Sequence, residues 1–357
     1  MSSTPCSIAI VLTLLFTPIL GTVVAARQCS PEQGQIYINE GQYRDAIREF
    51  TCVIEAQPTE VEGYRGRIEA ELLLGRYSDA VRDYARLTAF VLPVHPDADA
   101  TIAAGYAARL AAAPDNIPAL TGASFARWWF FDYPAAIHLL DDLLAVNPND
   151  VYGNLFSGSS RLLKGTARAE GAADLDRAIA LAPGSPDVRF ILADAYTYGK
   201  LPDPQRAFAE ASFALAGGLN TPRVHAILAS AYLAFGNQSA AAAEIRTHIE
   251  LVTTELVQAS SLTAGVTLTL ALVPGRSYEI PIPATAGETL SVLTSSRDFY
   301  DTILVLLAPD GTPVLGSDDY RQYFAGFQFV ATATGTYRIW VTSFESVNTG
   351  DLVVSRR

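Results

Sequence analysis

The sequence predicts a multidomain α + β protein, in which an N-terminal α-solenoid of helical hairpins is followed by an antiparallel β-sandwich. A segment that begins at Gly41 recurs at Gly75, and this spacing of 34 residues is typical of arrays of paired helices. After Ser260 the apolar residues change from a helical period to the alternation of β-strands. Because half of the 357 residues are hydrophobic, each part has enough apolar side chains for its own core.

The charge balance excludes some classes of partner. The chain has 25 Lys and Arg residues against 37 Asp and Glu residues, which gives a net charge of −12 at pH 7. Nucleic acids and anionic lipid surfaces attract proteins that carry a positive field, and this composition does not supply one. We therefore expect no nucleic-acid partner.

Residues 1–26 have the features of a secretory signal peptide. The apolar run Ile8–Leu20 carries no charge and has the length of an h-region, and the small residues up to Ala26 suit signal peptidase cleavage before Arg27. No Lys or Arg precedes the run. An uncleaved anchor over Ile8–Ala26 is the alternative, since that stretch is long enough to span a membrane. We expect a secreted or cell-envelope protein without a membrane span once the signal is removed.

Two cysteines remain when Cys6 leaves with the signal peptide. An even pair in an exported chain predicts a disulfide, and two buried thiols are the alternative. Gln42 marks the turn of the first predicted helical hairpin, and Cys29 and Cys52 lie at similar distances on either side of it. The two residues face each other in an antiparallel hairpin, so we predict a disulfide between them.

Residues 27–260 contain the helical repeats. The decapeptide GQYRDAIREF at residues 41–50 recurs as GRYSDAVRDY at residues 75–84, and both resemble the tetratricopeptide repeat (TPR) family. In this family small residues such as Ala46 let paired helices approach, and aromatic residues such as Phe50 fill the groove toward the next repeat. The resemblance extends over about residues 29–256. The period is lost between residues 93 and 116, where we expect a loop and an Ala-rich helix.

The resemblance to TPR proteins implies a superhelix whose concave face binds a protein or peptide without catalysing a reaction. Four arginines lie on predicted first helices, where they either line the concave face or belong to a solvated face: Arg65, Arg67, Arg127 and Arg161. The aromatic run after Arg127 contains Trp128 and Trp129. These two rings either form a binding hot spot or fill the gap that the irregular third unit leaves.

Residues 261–357 contain short β-rich segments between turns rich in Gly and Asp, as expected for a sandwich of about seven or eight strands. The segments RSYEIPI at 276–282, DTILVLL at 301–307, PDG at 309–311 and GTYRIWV at 335–341 resemble, in this order, the bacterial pre-peptidase C-terminal domain. The resemblance covers about residues 262–357. It implies a jelly-roll-like β-sandwich that serves secretion, stability or the binding of polymeric substrates.

Acidic and aromatic residues share the predicted loops at one end of the sandwich. Four aspartates either bind calcium through their carboxylates or cap turns: Asp298, Asp301, Asp318 and Asp319. Three aromatic residues either stack on a polymer or plug the sandwich: Tyr320, Tyr323 and Phe324.

The sequence contains no catalytic motif. The four histidines have no metal-ligand spacing, and no nucleophile elbow, P-loop or dinucleotide-binding glycine motif follows a predicted strand. We expect no enzyme activity and no cofactor other than the calcium considered above. The predicted function is that of an exported scaffold or adaptor that binds a protein or peptide partner through the concave face of the repeats. Binding of an extracellular polymer by the β-sandwich, with the repeats as a spacer, is the alternative.

Overall fold

The structure is a computed structural model that describes residues 29–58, 60–87, 106–129, 131–296, 301–317, 324–343 and 350–356. The signal peptide predicted at residues 1–26 lies outside these ranges. Within them a run of helices is followed by two β-sheets, so the predicted α + β architecture is confirmed. None of the described helices has the length and hydropathy that a transmembrane segment needs.

The described part of the chain contains thirteen helices. The first seven are α1 (Pro31–Asn39), α2 (Tyr43–Ala56), α3 (Val61–Leu74), α4 (Tyr77–Leu87), α5 (106–112), α6 (Ile117–Trp129) and α7 (Tyr133–Val146). The others are α8 (Val151–Lys164), α9 (Arg168–Leu181), α10 (Pro186–Tyr198), α11 (Pro204–Ala216), α12 (Pro222–Ala234) and α13 (Gln238–Val252). They pack as hairpins, in which α1, α3, α6, α8, α10 and α12 are the first helices and α2, α4, α7, α9, α11 and α13 the second helices.

Local sequence determines where these helices begin and end. Side chains that accept hydrogen bonds from backbone N–H groups precede most of them; the Ser30 hydroxyl accepts from Gln33 at 3.1 Å, and the Asp150 carboxylate accepts from Gly153 at 2.7 Å. Helix α3 ends at Gly75, whose φ of 79° lies in the left-handed region that glycine adopts without strain. The repeated glycine at the turn between paired helices therefore stops the first helix of the pair.

Phe50 links the first repeat to the second. Its fully buried ring lies against the backbone of Gly34 in α1 and of Gly66 in α3, where a Cβ atom on either glycine would overlap with the ring. Ala46 is also completely buried in the same cluster. The small and large residues of the repeat thus pack as the TPR resemblance implies.

A disulfide ties the start of α1 to α2. Cys29 and Cys52 are bonded, with their Cα atoms 5.8 Å apart, which confirms the predicted pairing. Next to the disulfide, the backbone N–H of Ser30 donates a hydrogen bond to the Glu49 carboxylate at 3.2 Å. These two contacts hold the start of α1 against α2, at the end of the hairpin that lies opposite the turn.

The C-terminal part is a β-sandwich. Its strands are β1 (Glu255–Gln258), β2 (Thr267–Leu272), β3 (Arg276–Ala284), β4 (Thr289–Ser296), β5 (Thr302–Leu307), β6 (Pro313–Ser317), β7 (Gly326–Val330), β8 (Gly335–Ser343) and β9 (Gly350–Arg356). One sheet has the order β1-β3-β8-β5-β6 and the other has the order β2-β9-β4-β7. Tyr337 is completely buried between the sheets, and its hydroxyl oxygen accepts hydrogen bonds from the backbone N–H groups of Thr332 and Ala333 at 3.0 and 3.1 Å.

Two strands were not predicted. The strand β6 is short, contains Pro313 and Gly316, and lies at a sheet edge, where such residues are tolerated. The strand β1 follows α13 directly, ahead of the predicted domain boundary at residues 260 and 261. It pairs in parallel with β3, whereas the other described strand pairs are antiparallel.

In the stretch where the repeat period is lost, residues 106–112 form the expected Ala-rich helix, and residues 93–105 lie outside the described residues.

Helix α13 packs on the five-stranded sheet and joins the two parts of the molecule. Every residue of β5 is buried, with Leu304 and Leu306 in the sandwich core and Ile303 and Val305 in a separate cluster with Ile245 of α13. The sandwich thus covers the apolar side of the last helical hairpin, and the two parts share a core.

Candidate functional site

The first helices α10 and α12 do not present a free concave face, because α4 lies against them. Tyr84 of α4 is buried, and its ring lies 5.0 Å from that of Trp128 in α6 and 6.5 Å from that of Phe190 in α10, measured between ring centroids. Arg82, two residues before Tyr84, forms an ion pair with Asp187 of α10 at 3.3 Å. Helix α4 thus occupies this part of the concave face, where the sequence predicted that a partner binds.

The two predicted binding tryptophans lie in the interior of the helical array. Trp128 is 2% exposed and Trp129 is 4% exposed, and both pack with Tyr84 and Phe125. The indole N–H of Trp128 donates a hydrogen bond to the hydroxyl of Ser159 in α8 at 2.9 Å. In this structure the two rings fill space between repeats and offer no surface to a partner.

Arg67 lines a charged cavity of about 260 Å³ between α2, α3 and α4, called the charged pocket below. The pocket is lined by Ile47, Thr51, Arg67, Glu71, Arg76, Asp79, Arg82, Asp83 and Arg86. The Arg67 side chain is 12% exposed and donates two hydrogen bonds to the Asp83 carboxylate, at 2.5 and 2.8 Å. It donates a third to the Thr51 hydroxyl at 3.0 Å. Because Arg67 contacts both flanking second helices, it faces the second-helix side of the array and not the concave side.

Glu71 of α3 lines the charged pocket and is buried, with 4% of its surface exposed. Its Oε2 atom has no hydrogen-bond partner among the described residues. Burial, together with the nearby negative charge of Asp83, raises the pKa of Glu71 to about 8, although Arg67 acts in the opposite direction. At pH 7 this side chain is therefore mainly protonated, and the protonated carboxyl can donate one hydrogen bond.

The arginines of the charged pocket differ in how they are paired. Arg76 and Arg82 form ion pairs with Asp79 at 2.6 and 3.6 Å. Arg86 is exposed and forms no ion pair with any residue that the structure describes. With Glu71 protonated, four arginines and two aspartates leave the pocket with an excess of positive charge, in contrast to the net charge of −12 for the whole chain.

The other three predicted arginines are paired with carboxylates. Arg65 forms an ion pair with Glu62 at 2.8 Å in the same helix, and Arg127 forms one with Asp132 at 3.4 Å. Arg161 of α8 bridges the flanking second helices through Asp141 of α7 at 2.7 Å and Asp174 of α9 at 3.2 Å. Arg161, like Arg67, therefore faces the second-helix side.

The predicted sites of the sandwich are described only in part. Asp298, Asp318, Asp319, Tyr320 and Tyr323 lie outside the described residues, so both the calcium site and the aromatic polymer site stay predictions. Asp301 immediately precedes β5, and its backbone carbonyl accepts a hydrogen bond from the Ser343 hydroxyl at 3.1 Å. Phe324 is partly exposed just before β7. Within the described ranges, no group of three or more His, Cys, Asp or Glu residues is arranged to hold a metal ion.

A larger cavity, of about 450 Å³, lies at the junction of the helical array and the sandwich. Its lining comes from α12, α13, β6 and β7 and from the residues beside them, among them Ala229, Ile245, Leu315 and Phe327. The polar residues of this lining are uncharged serines and glutamines. This cavity can therefore bind a ligand through apolar contacts and uncharged hydrogen-bonding groups. The charged pocket can also form ion pairs and charge-assisted hydrogen bonds.

The charged pocket is not among the predicted sites, although the sequence contains a signal for it. Asp79, Arg82, Asp83 and Arg86 recur at the spacing of one helix face, opposite the buried Ala80, Val81, Tyr84 and Leu87. A charged helix face is usually solvated, and only the packing of α2 and α3 beside it makes a recess. Glu71 has no distinguishing signal in the sequence, because its burial depends on the same packing.

Comparison with known proteins gives the following matches. Residues 32–91 match the family model for the tetratricopeptide repeat. A pre-peptidase C-terminal domain of a Bacillus anthracis collagenase is 12% identical with a TM-score of 0.25, over 28% of this chain and 96% of that chain. A tetratricopeptide repeat protein from Parabacteroides merdae is 18% identical with a TM-score of 0.37, over 63% of this chain and 78% of that chain. A TPR protein from Thermus thermophilus is 22% identical with a TM-score of 0.33, over 57% of this chain and 97% of that chain.

None of the curated proteins compared with the chain matches it. The residues that match the family model include Phe50, Gly34 and Gly66, whose close packing joins the first two hairpins. Residues 32–91 thus match tetratricopeptide repeats both in sequence and in the packing of their helices.

Proposed function

We propose that this protein is an exported, non-enzymatic scaffold that binds a protein partner through the second-helix side of its N-terminal repeats. Tetratricopeptide repeats imply a scaffold for protein–protein interaction. The observation that carries the choice of surface is the position of α4, which lies against α10 and α12 on the concave side. The charged residues of α4 line the charged pocket together with α2 and α3, and this recess is available to a partner, although Arg82 also reaches Asp187 of α10.

The sandwich supports the scaffold role by protecting the end of the helical array. A solenoid leaves an apolar face uncovered at its last repeat and needs a cap to stay soluble. Here the cap is β5 and β6, which cover Ile245 and Ile249 of α13. Arg246 adds a hydrogen bond to the backbone carbonyl of Gly311 at 3.4 Å and lies over the ring of Trp340.

Export is part of the proposal and is supported by two features. The apolar run at residues 8–20 is followed by small residues up to Ala26 that suit cleavage, and the chain contains the disulfide Cys29–Cys52, which is typical of oxidising compartments. Amino-terminal sequencing of the protein from the medium or envelope of the producing cell tests this. We expect the mature chain to begin at Arg27. A chain that retains residues 1–26 in the cytoplasmic fraction would contradict export.

The binding function is tested by chemical cross-linking of the full-length chain in the producing cell. A tagged chain is cross-linked, purified under denaturing conditions and compared with an untagged chain in the same cells. We expect one defined protein to be recovered with the tagged chain in a fixed ratio. Recovery of a polysaccharide or structural polymer without such a protein would contradict the proposed function and favour polymer binding by the sandwich.

A further inference from the structure

The charged pocket contains a buried carboxyl group without a hydrogen-bond partner. Glu71 is 4% exposed and lines the cavity, and its Oε2 atom has no partner in the described part of the chain. A buried polar atom without a partner costs about 1–3 kcal/mol, so native structures rarely keep one without a reason. A ligand group that reaches into the cavity would provide the missing partner.

The charge of the pocket determines which ligand group fits. Asp83 is engaged by Arg67, and Asp79 is engaged by Arg76 and Arg82, whereas Arg86 has no described ion-pair partner. A cationic group would meet four arginines and is disfavoured. An anion with two acceptor atoms fits better, because the cavity lining includes both the positive charge of Arg86 and the single O–H donor of Glu71.

We propose that the charged pocket binds the carboxylate of an acidic side chain of the protein partner, which pairs with Arg86 and accepts a hydrogen bond from the Glu71 carboxyl group. The site rests on the proposed scaffold function and names the chemistry of the partner. A planar carboxylate with one negative charge matches one arginine that has no ion pair among the described residues, together with one hydroxyl donor. A phosphate group, with more charge and more acceptor atoms, would leave acceptors unmatched.

The protonation of Glu71 links this binding to pH. The charged groups around Glu71 are Arg67 on α3, Arg76 in the following turn, and Asp79 and Asp83 on α4, while α2 contributes the uncharged Ile47 and Thr51. Since the pKa of Glu71 is raised to about 8, this carboxyl ionises around that pH, loses its donor and repels an incoming carboxylate.

The test is an NMR titration of the full-length chain with N-acetyl-glutamate N-methylamide, whose only charge is the side-chain carboxylate. The uncharged glutamine analogue and inorganic phosphate are titrated for comparison. We expect binding of the glutamate compound at pH 7, with weaker binding of both other compounds. Tighter binding of phosphate, or equal binding of the glutamine analogue, would overturn the proposal.

Two variants and a matched control place the binding in the pocket. Arg86→Gln should weaken binding of the glutamate compound roughly 10- to 100-fold, as expected for loss of a charge-assisted hydrogen bond. Arg48→Gln is the control, because Arg48 is an exposed arginine on α2 whose ion pair is with Asp45 of the same helix. This control should leave the affinity within about 2-fold, since it removes charge without removing a ligand contact. An equal loss in both variants would show that general surface charge, and not the pocket, attracts the compound.

Glu71→Gln tests the role of the carboxyl group. The glutamine side chain keeps an N–H donor of similar shape and does not ionise, so its binding should stay constant from pH 7 to pH 9. The wild-type chain should lose affinity over the same range. A wild-type affinity that does not change with pH would overturn the role of Glu71. If the cross-linked partner is recovered but the glutamate compound does not bind, the scaffold function is supported and the carboxylate site is wrong.

Discussion

The ring of Tyr84 in α4 lies 6.5 Å from the ring of Phe190 in α10, although these helices belong to repeats that are far apart in the sequence. The contact closes the concave side of the array at this point. It also places the charged face of α4, with Asp79 and Arg86, on the opposite side, where it forms one wall of the charged pocket.

Replacement of Tyr84 by alanine should destabilise the helical array. The ring packs against Phe125, Trp128, Trp129 and Phe190, and large-to-small changes of buried aromatic residues typically cost about 3–5 kcal/mol. Urea denaturation followed by tryptophan fluorescence measures the change, with the exposed Ile36→Ala as the control. An equally small effect of both variants would mean that α4 does not pack in the array as described.

Replacement of Gly316 by valine should weaken the junction of the two domains. A Cβ atom at this position would lie 2.5 Å from Cδ1 of Ile245 and 3.1 Å from Cα of Ala242, so α13 and β6 would have to separate. Overpacking of this kind typically costs about 1–3 kcal/mol. Calorimetry should show a lower unfolding temperature or two separate transitions. Gly184→Val is the control, because no atom lies within 4 Å of a Cβ atom there; equal curves for the two variants would contradict the shared core.

Reduction of the disulfide Cys29–Cys52 should lower the stability of the first hairpin. The two cysteines are 23 residues apart in the sequence. Closing a loop of about this length contributes roughly 3 kcal/mol by restricting the unfolded chain. Denaturation with and without dithiothreitol measures the effect, and the double variant Cys29→Ser/Cys52→Ser should not respond to the reductant. A wild-type midpoint that is insensitive to dithiothreitol would contradict a stabilising disulfide.

The raised pKa of Glu71 makes the stability of the chain depend on pH. The folded chain holds a proton on Glu71 up to a pKa of about 8, whereas the unfolded chain releases it near the ordinary value of 4.5. Because the folded state binds more protons between these values, this residue lowers the free energy of unfolding as the pH rises from 5 to 8, by up to about 1.4 kcal/mol per pH unit.

The variant Glu71→Gln removes this dependence and should gain stability relative to wild type over that range. Urea denaturation of both chains at pH 5 and pH 8 measures the gain. Glu69, whose pKa burial raises to about 7, is present in both chains and cancels in the comparison. A difference between the chains that is the same at both pH values would show that Glu71 is ionised in the folded state.

The sequence predicts the order of elements well because each depends on local patterns. The glycine turns at Gly75 and Gly236, the small and aromatic residues of the repeat, and the alternation in β3 and β8 are all local signals. The disulfide also follows from the symmetry of a single hairpin. The strands β1 and β6 escaped prediction because they are short and are recognised by their pairing with β3 and β5.

The candidate site could not be predicted in the same way, since it depends on contacts between distant segments. The tryptophans Trp128 and Trp129 are as typical of a hot spot as of a core, and only the position of Tyr84 decides between the two. Arg67 was identified as a candidate, but the face that it occupies follows from its bonds to Asp83 and Thr51. The burial of Glu71 likewise depends on the packing of three helices.

The central claim is that the partner binds the second-helix side of the N-terminal repeats. Site-specific photo-cross-linking of the full-length chain in the producing cell is its most direct test. One photoreactive residue is placed at Arg48, next to Ile47 of the charged pocket, and another at Val330, which is 56% exposed at the end of β7 in the sandwich. We predict that position 48 cross-links a defined protein and that position 330 does not. Cross-links to a partner from position 330 alone would contradict the account and assign binding to the sandwich.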